Sequence, residues 1–211
     1  MPIQLVIFDL GRVLVKLCDN WKHASQLAKL PAEIGDLSET AKTALYQLVD
    51  SSEKGLIDQE QFCQQAATVL NISSQDVAAV SDIYLLETFP GVSQLLDEII
   101  ATGCRTACLS NTNANHWQMM TQGGNACSIP IEKLHHQFAS HLIGHRKPDV
   151  RIYEHVELRT GFTGPQILFF DDMLENIQAA RQRHWHAEQI LPDGDSVIQM
   201  RQHLARHGVL F

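Results

Sequence analysis

The sequence predicts an α/β fold, a three-layer α/β/α core with a parallel sheet, interrupted by an all-helical insertion. Three observations predict it. The chain opens on a short apolar run, Ile3, Leu5, Val6, Ile7 and Phe8, too short for a free-standing helix and apolar on both faces, as in a strand buried within a parallel sheet. Between about Asn20 and Leu86 only helical periodicity follows. From Phe89-Pro90-Gly91 onward helix and strand patterns alternate, the mark of parallel strands joined by crossover helices. Residues 1–16 and 87–211 are therefore expected to form one Rossmann-like core, and residues 17–86 a helical domain set into it.

The first strand stops on Asp9, and Leu10-Gly11 after it predicts an abrupt end that leaves the carboxylate at the C-terminal sheet edge, where open α/β sheets place their ligands. In the insertion, helices are expected over 21–30, 37–49, 59–70 and 74–85. Ser38 before Glu39, Asp58 before Gln59-Glu60-Gln61, and Ser74 with Asp76 nearby supply start signals. Pro31, Gly35 and Gly55 punctuate the gaps. In the second half a helix over 92–101, capped by Gly103, leads to a strand over 105–109 that ends at Ser110-Asn111-Thr112. A helix over 114–122, a Gly123-Gly124 loop, a helical turn near 131–134 and a strand over 137–140 follow, with Lys147 shortly after. A helix over 150–160 precedes a strand over 166–170 closed by Asp171-Asp172, then a helix over 175–183, a strand over 187–190 and a helix over 196–206.

Composition narrows the functional classes. The 211 residues are 45% apolar, enough to bury a sizeable interior, and the formal charge is −8 without any Lys/Arg run, against the basic face that a nucleic acid requires. No apolar run approaches the roughly 20 residues that span a bilayer. The chain enters its first strand without a charged leader, so a cytoplasmic location is expected. Cys18, Cys63, Cys104, Cys108 and Cys127 are odd in number and lack a CxxC pair, which predicts buried free thiols. His141 with His145 and His203 with His207 have metal-ligand spacing, but the first pair brackets Gly144 in an expected loop and the second lies in a polar terminal segment; both are expected to be solvated.

Parallel neighbours would bring four strand ends together, offering Asp9, Ser110 with Asn111, Lys147, and Asp171 with Asp172 to one cleft. Carboxylates, a hydroxyl, amide donors and an ammonium suit phosphoryl transfer. An Asp can attack phosphorus, carboxylates can hold a divalent cation, and Lys with hydroxyl donors can hold the remaining oxygens.

Asp9-Leu10-Gly11-Arg12-Val13-Leu14, Leu109-Ser110-Asn111-Thr112-Asn113, Arg146-Lys147-Pro148-Asp149 and Phe170-Asp171-Asp172 resemble, in order and spacing, the four motifs of the haloacid dehalogenase (HAD) superfamily. The insertion is similar to the helical cap of its subfamily I. Glu53-x-Gly55-x-Ile57-Asp58-x-Glu60-x-Phe62 and residues 113–116 resemble its sugar-phosphatase-like branch. The resemblance implies that Asp9 is a nucleophile forming an aspartyl-phosphate, that Ser110 and Lys147 bind the phosphoryl group, and that Asn111 helps shape that pocket. It also implies Mg²⁺ held by Asp9, the Gly11 carbonyl and Asp172, with Asp171 on the ion or behind it. Asn176 is a candidate to orient these acids.

One departure matters. Typical phosphatases of this family carry an acid two residues after the nucleophile, where this chain has Gly11; the branch it resembles often carries glycine there and includes phosphatases. General acid catalysis is typically worth about 10²–10⁴-fold. The preferred expectation is a Mg²⁺-dependent phosphomonoesterase acting on a small phosphorylated metabolite, such as a sugar 1-phosphate whose leaving group needs little protonation. The alternatives are a 2-haloacid dehalogenase, for which Tyr153 would fit but Asp171-Asp172 would not, and a non-catalytic binding protein of the same fold. Arg12, Trp21 and His23 are weaker candidates to face substrate, and the substrate and oligomeric state stay open at this level.

Overall fold

The computed structural model describes residues 2–30 and 34–210; Pro31, read above as a break between helices, lies outside the described residues. In chain order the elements are β1 (Leu5–Phe8), β2 (Val15–Leu17), α1 (Trp21–Leu27), α2 (Glu39–Glu53), α3 (Gln59–Leu70), α4 (Ser74–Ile83), β3 (Leu85–Thr88), α5 (Val92–Ala101), β4 (Arg105–Ser110) and α6 (Ala114–Thr121). They continue with β5 (His136–Ala139), α7 (Ser140–Ile143), α8 (Val150–Thr160), β6 (Ile167–Asp171), α9 (Leu174–Gln182), β7 (His186–Gln189) and α10 (Ser196–Arg206).

The main sheet has the order β5-β4-β1-β6-β7 and is parallel throughout. β1 lies at its centre because its four residues are buried on both faces. Val6 and Phe8 point into a core shared with α5 and α10, where Leu95, Leu96, Met200 and Leu204 lie. Leu5 and Ile7 point into the opposite core with Ile152, Tyr153 and Val156 of α8 and Ile177 of α9. The chain thus leaves β1 towards β4 on one side and towards β6 on the other, which is the topology that opens a crevice above the central strand.

The helices between β2 and β3 have a core of their own, with Leu45, Phe62, Cys63, Ala66, Val77 and Val80 packed together. α3 begins where the sequence predicts, on a reciprocal capping box in which Asp58 accepts from the Gln61 N–H and the Gln61 side chain reaches back to the Asp58 N–H. α4 is capped by Ser73 rather than by Ser74. It also ends earlier than expected, because Leu85 belongs to a strand.

That strand, β3, pairs antiparallel with β2. The ribbon joins the helical insertion to the core, with Phe89 N–H donating to Leu14 O at 2.9 Å, Cys18 N–H to Tyr84 O at 3.0 Å, and Lys16 Nζ 2.7 Å from Glu87. The boundaries expected near residues 16 and 87 fall in or beside these two strands. All five cysteines are free, four of them buried and Cys104 partly so.

Candidate active site

Asp9 follows the last residue of β1, and its N–H donates to Phe170 O of β6 at 2.8 Å, so the neighbouring strand fixes the point at which the carboxylate leaves the sheet. Ser110 closes β4 and Asp171 closes β6. Lys147 comes from the loop between α7 and α8, and its side chain is fully buried. The four strand-end groups expected from the sequence therefore meet above β1.

Lys147 lies at the centre. Its Nζ is 2.6 Å from Asp171 Oδ2 and 3.0 Å from Asp9 Oδ1, and it donates to Leu109 O at 2.7 Å. Leu10 N–H also donates to Asp9 Oδ1, at 2.7 Å. Asp171 Oδ1 accepts from Met173 N–H at 2.8 Å and from Asn176 Nδ2 at 2.9 Å. Asn176, a polar residue in the first turn of α9, is thus buried and orients an acid. Asn111 acts on Lys147 rather than on the cleft alone: its Oδ1 accepts from Lys147 N–H at 2.8 Å, while its Nδ2 donates to Lys147 O at 2.9 Å.

Asp9, Asp171 and Asp172 each offer an oxygen within 4.8 Å of the others. Burial, reinforced by the charges of Asp171 and Asp172, pushes Asp9 up to about 8 against the pull of Lys147. Burial and Asp171 raise Asp172 to about 6. Burial alone would lower Lys147, but Asp171 and Asp9 hold it above its ordinary value. Three carboxylates thus face one ammonium, with Arg12 Nε a further 3.8 Å from Asp172. The cluster carries more negative charge than the protein neutralises, and hard oxygen donors in that arrangement fit a divalent cation such as Mg²⁺.

A cavity of about 220 Å³ opens beside this cluster, between the core and the helical insertion. The core contributes Gly11, Ser110, Asn111, Thr112 and His116 to its wall. The insertion and ribbon contribute Leu17, Trp21, Glu53, Phe62 and Tyr84. Trp21 serves two purposes, for its ring also packs near Phe62 and Tyr84, with centroids 6.2 and 6.3 Å away. Burial lowers His116, whose Nε2 lies 2.8 Å from Ser81 O.

α2 is clasped to the core by Arg146. Its Nη1 is 3.3 Å from Asp50, its Nε 3.0 Å from Glu53, and its guanidinium 5.6 Å from the Tyr46 ring centre. Gly55, at φ 68°, lets the chain after α2 press against α7, with His141 O 2.4 Å from where a Cβ would stand.

Other candidates lie at the edge of this cluster or away from it. Arg12 is tied to Cys18 O at 2.9 Å. His23 pairs with Asp19, 3.2 Å away, beside a second cavity of about 620 Å³ that Arg12 and Asp172 also line. Tyr153 is fully buried, donates to Asn176 O at 3.0 Å and stacks edge-on against Phe169 and Trp185, so it is a core residue and not a wall of the cleft. His203 and His207 are not solvated as expected; they flank Glu188 at 3.4 and 2.7 Å. His141 is half-buried on α7, with Nδ1 3.1 Å from Thr112 O. Glu53 and His116 belong to segments quoted above for the resemblance but were not assigned to a cavity, and Leu17 carried no signal beyond being apolar.

The chain is similar to several known proteins. The sequence model of the haloacid dehalogenase-like hydrolases matches residues 3–182. A sesquiterpene phosphatase of Aspergillus oryzae is 24% identical over 187 residues, covering 84% of this chain and 85% of that protein. A HAD family enzyme of Bacteroides thetaiotaomicron superposes with a TM-score of 0.77 at 19% identity, over 95% of this chain and all of that one. The same enzyme in complex with magnesium and inorganic phosphate gives a TM-score of 0.71 at 19% identity, over 92% and 96% of the two chains. No described helix is long and apolar enough to cross a membrane.

Proposed function

Because the chain belongs to the haloacid dehalogenase-like hydrolases, we propose that this hydrolase is a Mg²⁺-dependent phosphomonoesterase that acts through an aspartyl-phosphate at Asp9 on a small phosphorylated metabolite. The observation that carries this reading is the trio Asp9, Asp171 and Asp172 around Lys147, whose unneutralised charge suits a cation and a phosphate together. A halide pocket has no use for it, and Tyr153 lies in the core, so the dehalogenase alternative loses its support.

Asp9, the Gly11 carbonyl and Asp172 would hold Mg²⁺, with Asp171 oriented by Asn176 beside them. When bound, Mg²⁺ supplies positive charge to the carboxylates and to the phosphoryl oxygens. Asp9 attacks phosphorus and forms the P–O bond while the ester oxygen departs. Lys147 and Ser110 hold phosphoryl oxygens, and Asn111 keeps Lys147 in place by gripping its backbone. Water then attacks the phosphorus of the aspartyl-phosphate and regenerates Asp9. Residues 17–86 act as a cap over the core formed by 1–16 and 87–211. The cap wall of Trp21, Phe62 and Tyr84 supports an organic group of modest size, with an apolar face, next to the phosphate. Sugar phosphates are the first candidates, and the fungal relative, a sesquiterpene phosphatase, supplies the apolar comparison.

The test is phosphate release from sugar phosphates, prenyl phosphates and p-nitrophenyl phosphate, with Mg²⁺ or chelator, for the native protein and Asp9→Asn. Mg²⁺-dependent release that disappears in Asp9→Asn is expected. Release that survives chelator or the substitution contradicts the proposal.

A further inference from the structure

Gly11 has no side chain and so leaves the reaction without the usual acid at that position. The end of an apolar side chain rests over it, Leu17 Cδ1 of the ribbon standing 2.9 Å from where a Cβ at residue 11 would lie. An acid for the leaving group has to come from another element. Across the same cavity, the wall that holds Gly11, Ser110 and Asn111 is met by Glu53, the last residue of α2. Among the described residues it is the one carboxylate of the helical insertion on that wall. Its side chain is only 17% exposed, and its Oε2 lies 3.0 Å from Arg146 Nε without an aligned hydrogen bond, so the carboxyl is held in place but has bonding capacity left.

We propose that Glu53, delivered by the cap, is the general acid and base that replaces the missing side chain at position 11; this rests on the phosphatase reading above. In the first step Asp9 forms the P–O bond, the ester P–O bond breaks, and the proton of the Glu53 carboxyl passes to the departing alkoxide. In the second, the Glu53 carboxylate takes a proton from water as that water attacks phosphorus, the Asp9–phosphorus bond breaks, and inorganic phosphate leaves. The protonation state required at the start is one that the surroundings favour. Burial raises Glu53 above the ordinary carboxylate range, while Arg146 and Lys147 oppose this and Asp50 adds to it. Across the cavity burial lowers His116, which disfavours its charged form. The arrangement makes catalysis depend on cap position, because Arg146 seats both Glu53 and Asp50 on the core loop next to Lys147.

The test compares kcat/KM of Glu53→Gln for an alkyl phosphate and for p-nitrophenyl phosphate, whose leaving group needs no proton. The alkyl phosphate is expected to lose about 10²–10⁴-fold and p-nitrophenyl phosphate less than about tenfold, the size that remains when no proton transfer is lost. Since the second step also loses its base, a burst of p-nitrophenolate equal to the enzyme concentration should appear. Equal losses for both substrates, without a burst, would mean that Glu53 only secures Arg146 and would overturn the proposal. Asp50→Asn, which weakens the same clasp without touching the acid, should affect both substrates alike; a selective loss there also counts against it. Should Glu53→Gln fold poorly, the native protein decides: kcat/KM for alkyl phosphates should fall towards high pH on a limb absent from p-nitrophenyl phosphate, and identical profiles would refute the role. Loss of all activity in Asp9→Asn stands apart from these results, so failure of the phosphatase reading is distinguishable from failure of this one.

Discussion

Lys147→Met removes the buried ammonium while nearly conserving side-chain volume. Three acceptors then lose a donor together: Leu109 O at 2.7 Å, Asp171 Oδ2 at 2.6 Å and Asp9 Oδ1 at 3.0 Å, of which Asp9 Oδ1 keeps the Leu10 N–H. Breaking a buried ion pair by deleting one partner costs about 3–5 kcal/mol. For a chain of this length each kcal/mol lowers Tm by about 2–4 °C, so a fall of roughly 6–20 °C is expected in chelator. The pH dependence is the more telling part. Without the ammonium the folded-state pKa of Asp9, already about 8, rises further. A carboxyl raised in the folded state favours folding while protonated and loses that contribution as pH rises through its folded value, so the deficit of the variant must grow with pH. Thermal unfolding of both proteins at pH 5, 7 and 9 measures this. A fall under about 3 °C at every pH, or a larger deficit at pH 5 than at pH 9, would refute the reasoning.

Metal and pH should be linked in the native protein as well. Asp9 and Asp172 are raised to about 8 and about 6, so between roughly pH 4 and 8 the metal-free protein should lose stability as pH rises, and Mg²⁺ should restore it increasingly because it binds the ionised carboxylates; at a hundredfold excess over Kd the gain is about 2.7 kcal/mol. Tm in chelator that climbs over this range, with no effect of Mg²⁺, contradicts the cluster as drawn. Asn111→Ala removes two hydrogen bonds to the Lys147 backbone, at about 0.5–1.5 kcal/mol each, and kcat should fall by up to about 10²-fold through misplacement of the ammonium; unchanged kcat in steady-state assays would show that Lys147 needs no such grip. Gly55→Ala puts a Cβ 2.4 Å from His141 O at φ 68°; the left-handed backbone alone costs about 1–2 kcal/mol, so Tm should drop by at least about 2–8 °C, and an unaltered Tm would mean that α2 is not pressed against α7.

The parts of the molecule legible in the sequence are those governed by local pattern. Asp9, Ser110 and Asp171 were readable because each ends a buried apolar strand, and parallel neighbours necessarily bring such ends to one edge. The start of α3 was readable because Asp58 and Gln61 cap it within four residues. What escaped depends on distant pairing. β2 and β3 are three and four residues long and are strands only through each other, so Leu85 reads equally well as the end of a helix. α7 is a single turn ending at Gly144 and has no periodicity to detect. Glu53 and His116 become cavity residues through the seating of the insertion by Arg146 and the ribbon, and Leu17 becomes the occupant of the space over Gly11 in the same way. His203 and His207 look like solvated side chains of a polar terminal helix until β7 places Glu188 between them.

The most direct measurement is to trap the covalent intermediate. The native protein, mixed with Mg²⁺ and excess substrate and quenched during turnover, is reduced with borohydride, which converts an acyl phosphate to an alcohol and leaves homoserine at the modified position. Mass spectrometry of the peptide spanning Ile3 to Leu14 should find homoserine at position 9 with substrate and none without it. Turnover with no reduced residue at position 9, or reduction at another carboxylate, would contradict Asp9 as the nucleophile and with it the mechanism built on the Asp9, Lys147 and Asp171 cluster.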